Sequence, residues 1–190
     1  MKRVSQLTAL TAALGLAAFS SFAAEMAPSL TLTALQQQQG ALIDTRASAF
    51  YNGWPQTLNG PSGHEPAALN LSASWLGAMN ETQLKAWASQ HQLTPTTPVA
   101  LYGSDSDNQA VKARLNQAGF SQVTLLSDAL QTPARLQRLA HFEQLVYPQW
   151  LHQLQQGKPV TAAPAGEWKV IEAAWGAPKF YLLNHIPGAG

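Results

Sequence analysis

The order of elements between residues 99 and 126 constrains this chain more than any other feature. Val99-Ala100-Leu101-Tyr102 is an apolar run of strand length, Ala110 to Ala118 is a helix-length stretch stopped by Gly119, and Gln122 to Leu126 is strand-like again. Continuous apolar strands joined by an amphipathic segment are what a parallel sheet buried on both faces requires. A strand, helix, strand unit of this kind closes with a right-handed crossover. Ligands in such sheets bind beyond the carboxyl ends of the strands. The polar stretch Gly103-Ser104-Asp105-Ser106-Asp107, read as a loop, therefore stands where a site belongs.

The flanking sequence extends the same α/β pattern. Thr33 is placed to cap a short helix, Ala34 to Gln39, closed by Gly40, and Ala41 to Asp44 reads as a buried strand. Asp44 and Arg46 set opposite charges at the end of that strand, as a structural pair. Ala47 to Tyr51 reads as a helical turn, residues 52 to 63 as loop, and residues 69 to 71 as a short strand. Asn80 followed by Gln83 is a capping box, and Leu84, Trp87, Ala88 and His91 then share one helix face. Pro133 to Gln156 reads as helical, and residues 157 to 166 have the composition of a connector. Beyond it, Lys169 to Ala173 and Phe180 to Leu182 read as strands before a turn that begins at His185. The order of strand, turn and His-containing loop echoes Ile43 to Asn70, which makes an internal repeat cut short the economical account.

With 46% hydrophobic and 11% charged residues, the 190-residue chain can bury a core. Lys2 and Arg3, the apolar run Leu7 to Ala18 and the small residues of Ser21-Phe22-Ala23 have the form of a secretory signal, with cleavage expected after Ala23. The polar Ala24-Glu25 that follows argues against a retained anchor. A periplasmic or secreted destination of Gram-negative type follows, with no stable membrane association. Without Lys2 and Arg3 the charge is close to neutral, which excludes binding nucleic acid by bulk charge. The cysteine count of 0 removes disulfides, thiolate metal sites and every sulfur nucleophile from these residues.

Other site chemistries are weak. Ser104 or Ser106 lacks the Gly-x-Ser-x-Gly elbow of a hydrolase. Asp105 and Asp107 lack the Gly and distant Glu of a calcium loop, and they read as helix N-terminal charges or a solvated turn. His141, Glu143 and His152 are not at metal spacing for one helix face. No metal and no cofactor is expected. Trp54, Tyr147 and Trp150 read as anchors between modules in preference to ordinary core packing.

Leu42-Ile43-Asp44-Thr45-Arg46 resembles the strand ending in Asp-x-Arg of the rhodanese superfamily of sulfurtransferases. His64-Glu65-Pro66-Ala67-Ala68-Leu69-Asn70 is similar to a degraded form of its Gly-His-Ile-Pro-Gly-Ala-x-Asn stretch, and His185-Ile186-Pro187-Gly188-Ala189 to the undegraded one. Pro98 to Tyr102, Ala118-Gly119-Phe120 and Val123 to Leu126 fall in the same order as in that family. Phe50 to Gly60 and Phe142 to His152 extend the likeness to the front of a periplasmic, multi-module thiosulfate sulfurtransferase, over essentially the whole chain.

The resemblance implies a three-layer α/β/α module with a mostly parallel sheet, followed by the truncated start of a second. Residues 1–23 would be signal peptide, 24–157 the first module, 158–168 linker and 169–190 the second module's beginning. It also implies sulfane sulfur transfer from thiosulfate through a cysteine persulfide. Gly103 stands at the expected cysteine position, so this module is expected to be inactive, with Asp44, Arg46, His64 and His185 in structural roles. The partners implied are the remaining modules of a longer parent, with a small sulfur-containing substrate only there. A non-catalytic rhodanese-fold binding or scaffolding module is the alternative.

Overall fold

The computed structural model describes residues 29–190; the expected leader and its cleavage point at Ala23 lie outside them. Five strands form one sheet: β1 (Ser29–Leu30), β2 (Ala41–Asp44), β3 (Leu69–Asn70), β4 (Val99–Tyr102) and β5 (Val123–Leu126). Their spatial order is β1-β5-β4-β2-β3, and every pairing is parallel. Central β4 is buried along its whole length, which explains its unbroken apolar sequence.

Alternation along the strands builds two cores. Ile43, Val99, Leu101 and Val123 face one side, where α3 (Glu81–Gln90) and α4 (Asp105–Gln117) supply Leu84, Ala88, Val111 and Leu115. Leu42, Ala100 and Tyr102 face the other, against Leu32 and Leu35 of α1 (Leu32–Gln37) and Tyr51 of α2 (Ser48–Asn52). The chain is thus an α/β fold with helices on both faces of a parallel sheet. The Asn80 and Gln83 capping box is present as read, with Asn80 Oδ1 accepting from Gln83 N and Gln83 Oε1 from Asn80 N.

Five elements depart from the sequence reading. Thr31, not Thr33, caps α1, which begins at Leu32 and so keeps Leu32 and Leu35 on one buried face; the Leu32 amide donates to Asp128 Oδ1. Helix α4 begins at Asp105, five residues before the expected start, because Ser104 caps it and acidic side chains are favoured in a first turn. The expected polar loop is thereby reduced to Gly103 and Ser104. Between Pro133 and Gln156 only two short 3-10 turns and α5 (Pro148–Gln155) form. His141 takes a positive φ there, and Gln137 pairs its backbone with that of His64.

The fourth departure lies at residues 180–182, which belong to helix α6 (Lys179–Leu183) and not to a strand. Lys169 to Ala173, also read as a strand, is the fifth departure: it joins no sheet, and two backbone hydrogen bonds to Gly190 are its link to a neighbouring segment. The Gly190 amide donates to the Val170 carbonyl, and the Gly190 carbonyl accepts from the Glu172 amide.

Trp54 and Trp150 are buried and Tyr147 is half-buried. Trp54 is 1% exposed, lies 5.7 Å from the Tyr147 ring and 5.6 Å from that of Trp150, and donates Nε1–H to the Leu145 carbonyl. Trp150 donates to the Thr161 carbonyl at 2.8 Å. The three rings seat α5 and Thr161 on the loop after α2, and Tyr147 and Trp150 also border cavities lined by Ile186 and by Ile171, beyond the connector.

Candidate functional site

The carboxyl ends of β2 and β4 lie side by side, with Asp44 in register with Tyr102. Thr45, Arg46 and Gly103 follow immediately, so Asp44, Arg46 and Gly103 meet at the carboxyl end of the sheet's central strands. Arg46 Nε lies 2.9 Å from Asp44 Oδ1 and Nη2 2.6 Å from Oδ2, while Nη2 also donates to the Gly63 carbonyl at 2.7 Å. The pair is buried, and the guanidinium sits over the Tyr102 ring. Burial works against the charged guanidinium, but the hydrogen bonds and charge of Asp44 outweigh it and raise the Arg46 pKa. Both side chains are therefore committed to each other and to the backbone.

Tyr102 belongs to the same buried network. Its hydroxyl oxygen accepts from the Glu65 amide at 3.1 Å, and burial together with the nearby Asp44 carboxylate pushes its pKa up. Glu65 is fully buried, accepts from the Leu130 amide through Oε1 at 2.6 Å, and holds Oε2 2.9 Å from Arg135 Nη2 as an ion pair. Sequence reading passed over Glu65 and Thr45. A signal for Glu65 was present, since a carboxylate stands where the second His-x-Pro stretch carries Ile186.

Gly103 lies between Tyr102 and the Ser104 cap with φ of +152°. Thr45 Oγ1 stands beside it, 3.1 Å from the Tyr102 carbonyl and 2.9 Å from Asn108 Oδ1. A shallow cleft of about 200 Å³ opens here, lined by Tyr102, Gly103, Asp105, Asn108, Leu126 and Leu130 among others. None of its lining residues is a cation or a thiol. Ser104 and Ser106 hydroxyls lie 3.0 Å from each other, Ser104 is engaged in capping, and Asp105 and Asp107 occupy the helix's first turn. An anionic sulfur donor would meet negative charge at this end and no sulfur to receive its own.

His64 is stacked on Tyr51, with ring centroids 3.8 Å apart, and its Nδ1 lies 2.7 Å from the Tyr51 carbonyl; the Tyr51 hydroxyl donates to the Ala68 carbonyl at 2.7 Å. His185 repeats this with Tyr181: centroids 4.4 Å apart, Nδ1 3.0 Å from the Tyr181 carbonyl, and the Tyr181 hydroxyl donating to the Ala189 carbonyl. Each accepting carbonyl lies four residues beyond its histidine. Gly190, opposite Ile171, likewise takes the place of Leu69 opposite Ile43.

His141, Glu143 and His152 are not brought together. Among the described residues no group of three or more His, Asp or Glu is arranged to hold a metal ion, and no helix is long and apolar enough to cross a membrane.

No family profile matches the chain. It is 71% identical over 189 residues, all of its length, to thiosulfate sulfurtransferase YnjE of Escherichia coli K12, and it spans 43% of that relative. The crystal structure of YnjE superposes with a TM-score of 0.83, covering 90% of this chain and 41% of that one. An anaerobic ergothioneine biosynthesis enzyme from Chlorobium limicola, solved with trimethyl histidine, is 25% identical, with a TM-score of 0.74 over 85% of this chain and 40% of that one.

Proposed function

The chain matches the N-terminal part of a larger rhodanese-family protein, and from this we propose that it is the non-catalytic front of a thiosulfate sulfurtransferase. In that parent a cysteine thiolate attacks the outer sulfur of thiosulfate, the S–S bond breaks, and sulfite leaves with the bonding electrons. The persulfide then passes its sulfur to a thiophilic acceptor. Because this chain has no cysteine, the nucleophile of such a parent would stand outside these 190 residues. The observation that carries the reading is 71% identity over the whole chain to a named thiosulfate sulfurtransferase, in a sequence with no cysteine.

Residues 24–157 form the first module, 158–168 a linker and 169–190 the opening of a second. The matched Tyr51–His64 and Tyr181–His185 arrangements support this division. The partners are the remaining modules, and the signal-like first 23 residues support export to the periplasm.

Two measurements test the reading. The intact mass of the native product recovered from the periplasm should exceed that of residues 24–190 by one or more modules. The longer protein should make thiocyanate from thiosulfate and cyanide, and the 190-residue chain should not. A native mass equal to residues 24–190 would leave a binding or scaffolding module in place of an enzyme part.

A further inference from the structure

We infer that Thr45 is a plug: it fills the space that a side chain at position 103 would need, so this module is closed to a nucleophile by shape as well as by composition. A Cβ built on Gly103 would fall within the van der Waals envelope of Thr45 Oγ1 and lie 3.4 Å from Asn108 Oδ1. Thr45 cannot swing aside cheaply. It is fully buried and β-branched, and its hydroxyl is held between the Tyr102 carbonyl and Asn108.

The strand end does not itself demand a hydroxyl there. The pairing of Ile171 with Gly190 matches that of Ile43 with Leu69, which aligns Ala173 with Thr45. The second copy of the motif thus carries a methyl group where the first carries the plug. In the first, the hydroxyl ties the end of β2 to β4 and to α4, so space that could hold a reacting side chain is spent on joining three elements.

The inference takes from the preceding function only the placement of position 103. Its test invokes no sulfur transfer and can fail while that function stands. The full 190-residue chain would carry Gly103→Ala with Thr45 intact, with Thr45→Ala and with Thr45→Val, each compared with the matching Thr45 variant alone. The strain of a positive φ is common to all backgrounds and cancels in the cycle. Gly103→Ala should lower the Tm markedly beside Thr45, clearly less beside Thr45→Ala, and as much as in the parent beside Thr45→Val, whose methyl refills the plug's volume.

Because the chain has no other thiol, Gly103→Cys gives a second readout. Iodoacetamide should alkylate the introduced thiol about tenfold faster, or more, in the Thr45→Ala background than beside Thr45. Equal Tm losses in all three backgrounds, or equal alkylation rates with and without Thr45, would overturn the plug. Rescue by Thr45→Val equal to that by Thr45→Ala would also overturn it, since the hydroxyl's bonds and not its volume would then be at work.

Discussion

Arg46 grips Asp44 with two nitrogens, Nε on Oδ1 at 2.9 Å and Nη2 on Oδ2 at 2.6 Å, across only two residues of chain and out of reach of solvent. Removing one partner strands the other's charge in a low-dielectric interior. Arg46→Ala is expected to cost about 3–5 kcal/mol, read as a lower urea midpoint, whereas replacing both residues by apolar ones should cost clearly less. Equal losses for the single and double variants would contradict this.

Glu65 governs the loop on the far wall of the cleft through the Leu130 amide. Glu65→Ala leaves that amide without its acceptor and should cost about 1–3 kcal/mol. Amide hydrogen exchange at Leu130 should accelerate with it. Glu65→Gln, which retains an acceptor oxygen, should protect Leu130 far better.

Tyr102 sets an alkaline limit. Its folded pKa is raised, first by burial and then by Asp44, above an unfolded value of 10.0. The native state therefore holds the proton more tightly, so the stabilisation is complete below pH 10 and falls as pH rises further. The loss per pH unit is about 1.4 kcal/mol for one such group. Tyr102→Phe should flatten the decline of the urea midpoint above pH 10, while lowering stability at pH 7 by removing the acceptor for the Glu65 amide.

Trp54 joins α5 to the body of the chain. Trp54→Ala opens a cavity among Phe142, Tyr147 and Trp150 and should cost about 3–5 kcal/mol. Limited proteolysis should then cut first between residues 142 and 161. An unchanged digestion pattern would mean that α5 is held by other contacts.

Gly103→Cys by itself should make no thiocyanate from thiosulfate and cyanide. Asp105 and Asp107 remain in the first turn beside the new thiol and oppose an anionic donor. Appreciable turnover by that variant would show that their charge does not matter.

The layered α/β architecture was legible because β2, β4 and β5 are short apolar runs whose two-residue period needs helices on both sides. The Asn80 capping box was equally plain, being a local pattern. What escaped the sequence was set by competition between local and distant contacts. Ser104, Asp105 and Asp107 are turn-forming residues that also start helices, and only the packing of Val111 and Leu115 decides between the two. Gln137 is drawn out of a helical pattern by His64, more than seventy residues away. Position 103 was found by its motif, but its blockage by Thr45 depends on two strands lying side by side, which no spacing along the chain encodes.

Strand β1 and the amide of Leu32 are both secured from far along the chain, by Leu125 and Leu126 of β5 and by Asp128. A polypeptide emerging N-terminus first cannot make either attachment until nearly one hundred further residues have followed. Loop closure of that length is slow and entropically costly before the central strands exist to reward it. Strand β1 can therefore join the sheet only once β5 has been made, so the first strand of the chain is completed by the last of the sheet.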